Sequence, residues 1–264
     1  MTVQPSALPI VLVHGFIGHL QSVGRHGDTG LFAPDLLGYG RFRDYAASAI
    51  NVSAQVDHVM DQIDRAVGNA RVLVVAHSAG ATIAIRLAQL HPSRIAALLI
   101  AEGNLAASDA FLAARLGPMS LPDVQDWLGR MRDDPARLLR ADGVPITEVN
   151  LTRMGDWLRY QDAAALHQMA RSILLETVTP NYELAVSKVM RQTPTGLIFG
   201  ARSPHKRLLA EPVRSAIVSS SVIADSGHLL PLEAPERFRE EIDRFAARCL
   251  DQTATGALIA GYGS

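Results

Sequence analysis

The chain of 264 residues has a single cysteine, Cys249, which excludes a disulfide framework within it. No apolar run approaches the ~20 residues that a membrane-spanning helix needs. Neither sign of charge is in excess: 25 Lys and Arg stand against 26 Asp and Glu, so no broad basic surface points to nucleic acid. The opening residues, Met1-Thr2-Val3-Gln4-Pro5, lack a basic segment leading into a long apolar stretch. The expectation is no signal peptide and a cytoplasmic protein. The histidines, His167 in the middle of the chain included, lack metal-ligand spacing, no P-loop occurs, and no dinucleotide fingerprint opens a helix. Neither a metal nor a cofactor is expected. Repeats and low-complexity tracts are missing as well.

What is present suits one large α/β unit. Hydrophobic residues make up 48% of the chain, enough for a sizeable core. Short apolar runs at Ile10–Val13, Leu31–Ala33, Val72–Val75 and Ala97–Ile100 predict strands, and the run at Leu31–Ala33 is ended by Pro34. Between them, Val56, Val59, Met60, Ile63 and Val67 recur at helical spacing, and Ala81–Leu90 reads as a helix ended by His91-Pro92. Continuous apolar strands alternating with amphipathic helices predict a mostly parallel sheet covered on both faces.

From about residue 104 to 191 the pattern is helical only, with helices expected over Ser108–Leu116, Pro122–Met131, Asp134–Arg140, Thr147–Trp157, Gln161–Thr177 and Asn181–Met190. Strands resume at Thr195–Phe199 and Ala216–Ile223, and a last helix runs from Pro235 to Leu250. The expected organisation is a core of residues 1–103 and 192–264 holding a helical cap, 104–191. The Gly-, Ala- and Thr-rich tail from Thr253 reads as a loosely held end, with Leu258-Ile259-Ala260 able to dock on the body.

The segment with the most chemical content is Ala76-His77-Ser78-Ala79-Gly80. It joins a β-branched strand to a helix through a tight turn with serine at its tip and small residues beside it, the context a nucleophile elbow requires. Serine is also favoured as a helix N-cap, but capping leaves the small neighbours unexplained. A serine hydroxyl needs a base in reach, and the base needs an orienting acid. His228 is the candidate base, in a loop between the last strand and the last helix, where loops gather at strand carboxyl ends.

These features together resemble the α/β-hydrolase fold with a helical cap. The resemblance spans Pro9 to about Leu250. It rests on His14-Gly15-Phe16 after the first strand, Pro34-Asp35-Leu36-Leu37-Gly38-Tyr39-Gly40 after the second, the serine elbow, and Gly227-His228 with the Pro- and Glu-rich stretch after it. It implies a sheet of about six strands, shortened at the N-terminus, whose trimmed edge a second copy would cover in a homodimer. It also implies an oxyanion hole from the Phe16 and Ala79 N–H groups, worth roughly 3 kcal/mol per donor. His14, His77, Asp35 and Gly38 are read as structural.

The acid departs from the common pattern. Where family members often carry it, after Leu197-Ile198-Phe199, this chain has Gly200-Ala201-Arg202-Ser203-Pro204, with serine in place of aspartate. Glu102, at the end of the strand that follows the elbow unit, is the candidate acid, giving the chain order Ser78, Glu102, His228. Asp109, Asp225 and Glu211 are weaker rivals. Apolar cap residues, among them Phe111, Trp127 and Trp157, line a pocket for a medium-sized hydrophobic group or pack the cap onto the body. The expected function is a serine hydrolase acting on a carboxylic ester, thioester or lactone of a small to medium hydrophobic substrate through an acyl-enzyme. A cofactor-independent lyase or oxygenase, or a ligand-binding receptor, are the alternatives on the same fold.

Overall fold

The computed structural model describes residues 8–24, 30–203 and 214–254. Six strands, β1 (Ile10–Val13), β2 (Leu31–Phe32), β3 (Val72–His77), β4 (Ile95–Ala101), β5 (Thr195–Gly200) and β6 (Ile217–Ile223), form one sheet in the order β2-β1-β3-β4-β5-β6. Every pairing is parallel. The four central strands are buried almost throughout, which is why they read as unbroken apolar runs. The two edges are more exposed, and β6 carries three consecutive serines, Ser219 to Ser221, between its apolar ends.

Strand periodicity separates the two sides of the core. Val11 and Val13 of β1 and Val72, Val74 and Ala76 of β3 face one layer, whereas Ile10, Leu12, Leu73 and Val75 face the other. The first layer is covered by α1 (Val52–Val67) and α2 (Gly80–Leu90). The second is covered by Phe238, Ile242 and Phe245 of α10 (Pro235–Ala254), each contributing ~1.5–3 kcal/mol by leaving water. Gly196 of β5 permits this close approach, since a Cβ there would stand 2.6 Å from the Phe245 ring.

Between β4 and β5 lie only helices: α3 (Phe111–Leu116), α4 (Leu121–Asp133), α5 (Ala136–Ala141), α6 (Glu148–Arg159), α7 (Ala163–Thr177) and α8 (Pro180–Gln192). α7 packs against α3 and α4 and reaches α1 and α2, while α8 lies along α2. The last short helix before α10 is α9 (Leu230–Glu233). Helix starts shift from the expected positions where side chains capture backbone. α3 begins at Phe111 rather than Ser108 because the Asp109 carboxylate accepts the Leu105 and Ala106 N–H groups in a preceding turn. α7 begins at Ala163 because Asp162 accepts from Ala164 and Ala165. The tail segment Leu258–Ala260 and Glu211 lie outside the described residues.

Candidate active site

β3 ends at His77 and α2 starts at Gly80, so Ser78 and Ala79 make the whole connection. Ser78 takes the left-handed backbone conformation, φ +52°, a strain of ~1–3 kcal/mol for a non-glycine residue. Hydrogen bonds hold it there: its N–H donates to Ala101 O at 2.9 Å, and its carbonyl accepts from Ala81 N–H at 3.0 Å and Asn104 N–H at 3.2 Å. The small neighbours are needed because the β1 loop passes directly alongside. A Cβ on Gly15 would lie 2.9 Å from Ser78 Cβ, and one on Gly80 would lie 2.5 Å from both Val13 O and His14 O. Both obstacles at Gly80 are backbone, so Gly80→Ala is expected to cost ~1–3 kcal/mol or more. Thermal denaturation checks this, and an unchanged melting temperature contradicts it.

The structure brings Ser78, His228 and Glu102 together at the carboxyl ends of β3, β6 and β4. Ser78 Oγ is 2.9 Å from His228 Nε2, a hydrogen bond that requires Nε2 unprotonated if the hydroxyl donates. His228 Nδ1 is 3.8 Å from Glu102 Oε2. That is an ionic-contact distance beyond hydrogen-bond range, and Nδ1 has no other partner among the described residues. Such contacts tighten when substrate binds. Glu102 is also left-handed, φ +50°, and only 3% exposed. Its Oε1 accepts the Gly200 N–H at 2.6 Å, and its Oε2 accepts the Ser203 hydroxyl. Burial alone pushes this carboxyl up, but the neighbouring His228 and the bonds from Ser203 and Gly200 outweigh it and hold the group below its ordinary value.

Two peptide N–H groups beside the elbow leave their own hydrogen bonds unmade among the described residues. Neither Phe16 nor Ala79 donates its N–H within the described residues. Each peptide is fixed through its carbonyl on the far side. Gly15 O is held by His14 Nδ1 at 2.8 Å, which turns the Phe16 N–H the opposite way. Ser78 O, held by the two N–H groups named above, does the same for Ala79. Tyr39 OH adds a 3.1 Å bond to Phe16 O.

His14 and His77 serve as neutral hydrogen-bonding groups. His77 Nε2 donates to the His228 carbonyl at 2.8 Å, which anchors the backbone of His228. Burial lowers the His14 pKa to about 4 and the His77 pKa to about 3. The unfolded chain protonates these rings near 6.5, so it binds more protons than the folded one below that pH, and stability falls as the pH drops from about 6.5 toward 4. Each ring contributes a slope of up to ~1.4 kcal/mol per pH unit. Glu102 and Asp35, both held below the usual carboxylate range, act in the same sense further down, and Asp142, held above it, opposes them. The melting temperature is therefore expected to fall between pH 7 and pH 5, less so in His77→Gln, and a flat profile contradicts the assignment.

The roof comes from the helical block. Phe111, 49% exposed, sets its ring edge-on to His228 with centroids 5.1 Å apart. Trp157 is buried over the β1 loop: its ring lies 6.5 Å from those of His77 and His19, and it fills the space beside Gly18. Trp127 is 1% exposed within the core, and among the described residues no ring contact ties it to His228. An apolar crevice behind the β1 loop, lined by Phe16, Leu36, Tyr39, Ala79, Ile83 and Met169, is too narrow for a water molecule. Asp35 ties this floor to the roof. It accepts from Gln21 Nε2 at 2.7 Å, from Arg41 N–H at 2.9 Å, from Arg41 Nε at 3.1 Å and from the Tyr160 hydroxyl at the end of α6.

Sequence reasoning missed Ser203 as a partner of Glu102, and it missed Asp142 and Glu233, whose carboxylates accept the N–H groups on either side of His228. Ser203 carried a signal, since it occupies the position at which an acid is expected. Asp142 carried none. Among the described residues no cluster could hold a metal ion, and no helix is long and apolar enough to cross a membrane.

Residues 10–241 match the model of the alpha/beta hydrolase family. A relative from Pseudomonas putida, the dihydrolipoyllysine-residue acetyltransferase component of an acetoin cleaving system, is 23% identical over 255 residues. The match takes in 90% of this chain, which spans only 63% of that protein's length. Among solved structures, Cfl2 from Burkholderia cenocepacia superposes with a TM-score of 0.67 at 19% identity, covering 92% of this chain and 89% of that one. A thermophilic esterase from Thermogutta terrifontis superposes with a TM-score of 0.62, also at 19% identity, covering 93% and 92%.

Proposed function

The chain belongs to the alpha/beta hydrolase family, and from that premise we propose that it hydrolyses carboxylic esters through a Ser78-His228-Glu102 triad. The observation that carries this reading is the 2.9 Å contact between Ser78 Oγ and His228 Nε2 at a strained elbow, beside two peptide N–H groups with no partner among the described residues. Ser78 Oγ attacks the acyl carbon as His228 Nε2 takes its proton, and the carbonyl π bond opens to an oxyanion held by the Phe16 and Ala79 N–H groups. The imidazolium is stabilised by Glu102. Collapse of the intermediate breaks the bond to the leaving alcohol, which takes the proton from His228 and leaves an acyl-Ser78 ester. Water, deprotonated by the same nitrogen, then releases the acid and restores the serine. Thioesters and lactones fit the same sequence of steps.

In this reading residues 104–191 act as a cap, Phe111 and Trp157 flank the acyl group, and Trp127, buried in the core, packs the cap onto the body. The crevice behind the β1 loop offers no room for a long chain, and short acyl groups are the expected substrates. A panel of para-nitrophenyl esters from acetate to dodecanoate tests the proposal. The expected result is turnover with a preference for the shorter chains. A folded protein that turns over none of them, and no thioester or lactone either, contradicts it.

A further inference from the structure

The loop bearing His228 is pinned at three consecutive residues. Glu233 Oε1 accepts the Gly227 N–H at 2.6 Å, His77 Nε2 donates to His228 O at 2.8 Å, and Asp142 Oδ2 accepts the Leu229 N–H at 2.8 Å. The first two pins come from α9 and β3, within the body. Asp142 comes from the helical block, immediately after α5, where its own N–H closes the helix on Leu138 O and Leu139 O. Its carboxylate also lies against the His228 N–H.

The contact is built rather than incidental. Gly227 faces Asp142 so closely that a Cβ there would stand 3.0 Å from Oδ2 and 3.1 Å from the Asp142 carbonyl. Gly143, at φ +68°, turns the chain away just beyond, against the Arg202 side chain. Among the described residues, the charged and titratable groups around His228 include Glu102 just after β4, His77 from β3, Glu233 from α9, Arg202 from the turn after β5 and Asp142 from the helical block. Arg202 is taken up by Glu233 Oε2 and Asp225 O, and His77 is held neutral by burial. Asp142 thus supplies a carboxylate near the imidazole besides the triad acid, and its partly buried setting limits screening by solvent.

Building on the proposed triad, we propose that Asp142 is a positioning residue for His228. Its carboxylate fixes the histidine loop from the helical block, and its charge favours the imidazolium formed when Ser78 attacks. The base is then in register only while the helical block sits as it does here, so any displacement of that block on substrate entry is transmitted to His228 through one side chain.

The test is the second-order rate at which a fluorophosphonate labels the full-length protein, followed against pH for the wild type, Asp142→Asn and Asp142→Ala, with melting temperatures alongside. Asp142→Asn keeps an acceptor for the Leu229 N–H but loses the charge. It should label at the pH optimum within about threefold of wild type, with the acidic limb of its rate profile displaced to lower pH, because a negative charge beside the histidine loop is lost. Asp142→Ala loses the acceptor too and should label roughly 10- to 100-fold more slowly. An Asp142→Ala protein that labels at the wild-type rate overturns the proposal. So does an Asp142→Asn acidic limb that coincides with wild type, and this second readout stands even where the alanine variant does not fold. A wild-type protein that does not label at all overturns the hydrolase reading itself, and this inference with it.

Discussion

Ser78→Ala is expected to lower ester turnover by at least about 10⁴-fold while leaving the fold intact. In the proposed mechanism the hydroxyl makes the bond to the acyl carbon, so its loss would remove the covalent route altogether rather than weaken one contact. What survives in that mechanism is the background from the Phe16 and Ala79 N–H groups, unpaired among the described residues, which would still polarise a bound carbonyl. Folding should be little affected. The bonds that hold the left-handed turn run through the Ser78 N–H and carbonyl, to Ala101, Ala81 and Asn104, and alanine keeps both groups. Steady-state rates on the best para-nitrophenyl ester, with circular dichroism of both proteins, check this. Turnover within tenfold of wild type would mean that the serine binds rather than attacks, as in a lyase or oxygenase built on this fold.

Glu102→Gln is expected to lower turnover by roughly 10³- to 10⁴-fold, through the histidine rather than directly. The Gly200 N–H, at 2.6 Å from Oε1, needs an acceptor, so the new side chain places its amide oxygen there. The amide nitrogen then takes the position of Oε2, facing Ser203 and His228 Nδ1. An N–H pointing at Nδ1 selects the tautomer with the proton on Nε2, and that nitrogen faces Ser78 Oγ. A protonated Nε2 cannot accept the serine proton. Raising the pH should not rescue the variant, because the misplaced proton belongs to a neutral ring. Near-wild-type turnover in Glu102→Gln would mean that another group orients His228.

The layered parallel sheet was legible because buried strands leave unbroken apolar runs and amphipathic helices leave a spaced stripe, and both signals are local. The elbow was legible for a related reason: a serine between a strand and a helix, flanked by residues with almost no side chain, records a steric demand within five positions. Glu102 was legible by its place at a strand end. Its surroundings were not. That Ser203 donates to it follows from β4 and β5 lying side by side with Ala101 opposite Ile198, a pairing that no local pattern encodes. The helical block shows the limit most plainly. Helical spacing marks Phe111, Trp127 and Trp157 alike as apolar, yet Phe111 lies half-exposed on the His228 ring, Trp157 covers the β1 loop and Trp127 is buried in the core. Periodicity gives the face of a helix but not the element it meets. Asp142 reaches a loop 87 positions away in the chain from a stretch with no motif at all.

The central claim is that Ser78 is an activated nucleophile beside a formed oxyanion site. It is tested most directly by the intact mass of the protein after exposure to a fluorophosphonate, followed by peptide mapping. The account predicts one adduct per chain, located on Ser78 and absent from Ser78→Ala. A folded wild-type protein that gains no mass, or an adduct that persists in Ser78→Ala, would contradict it.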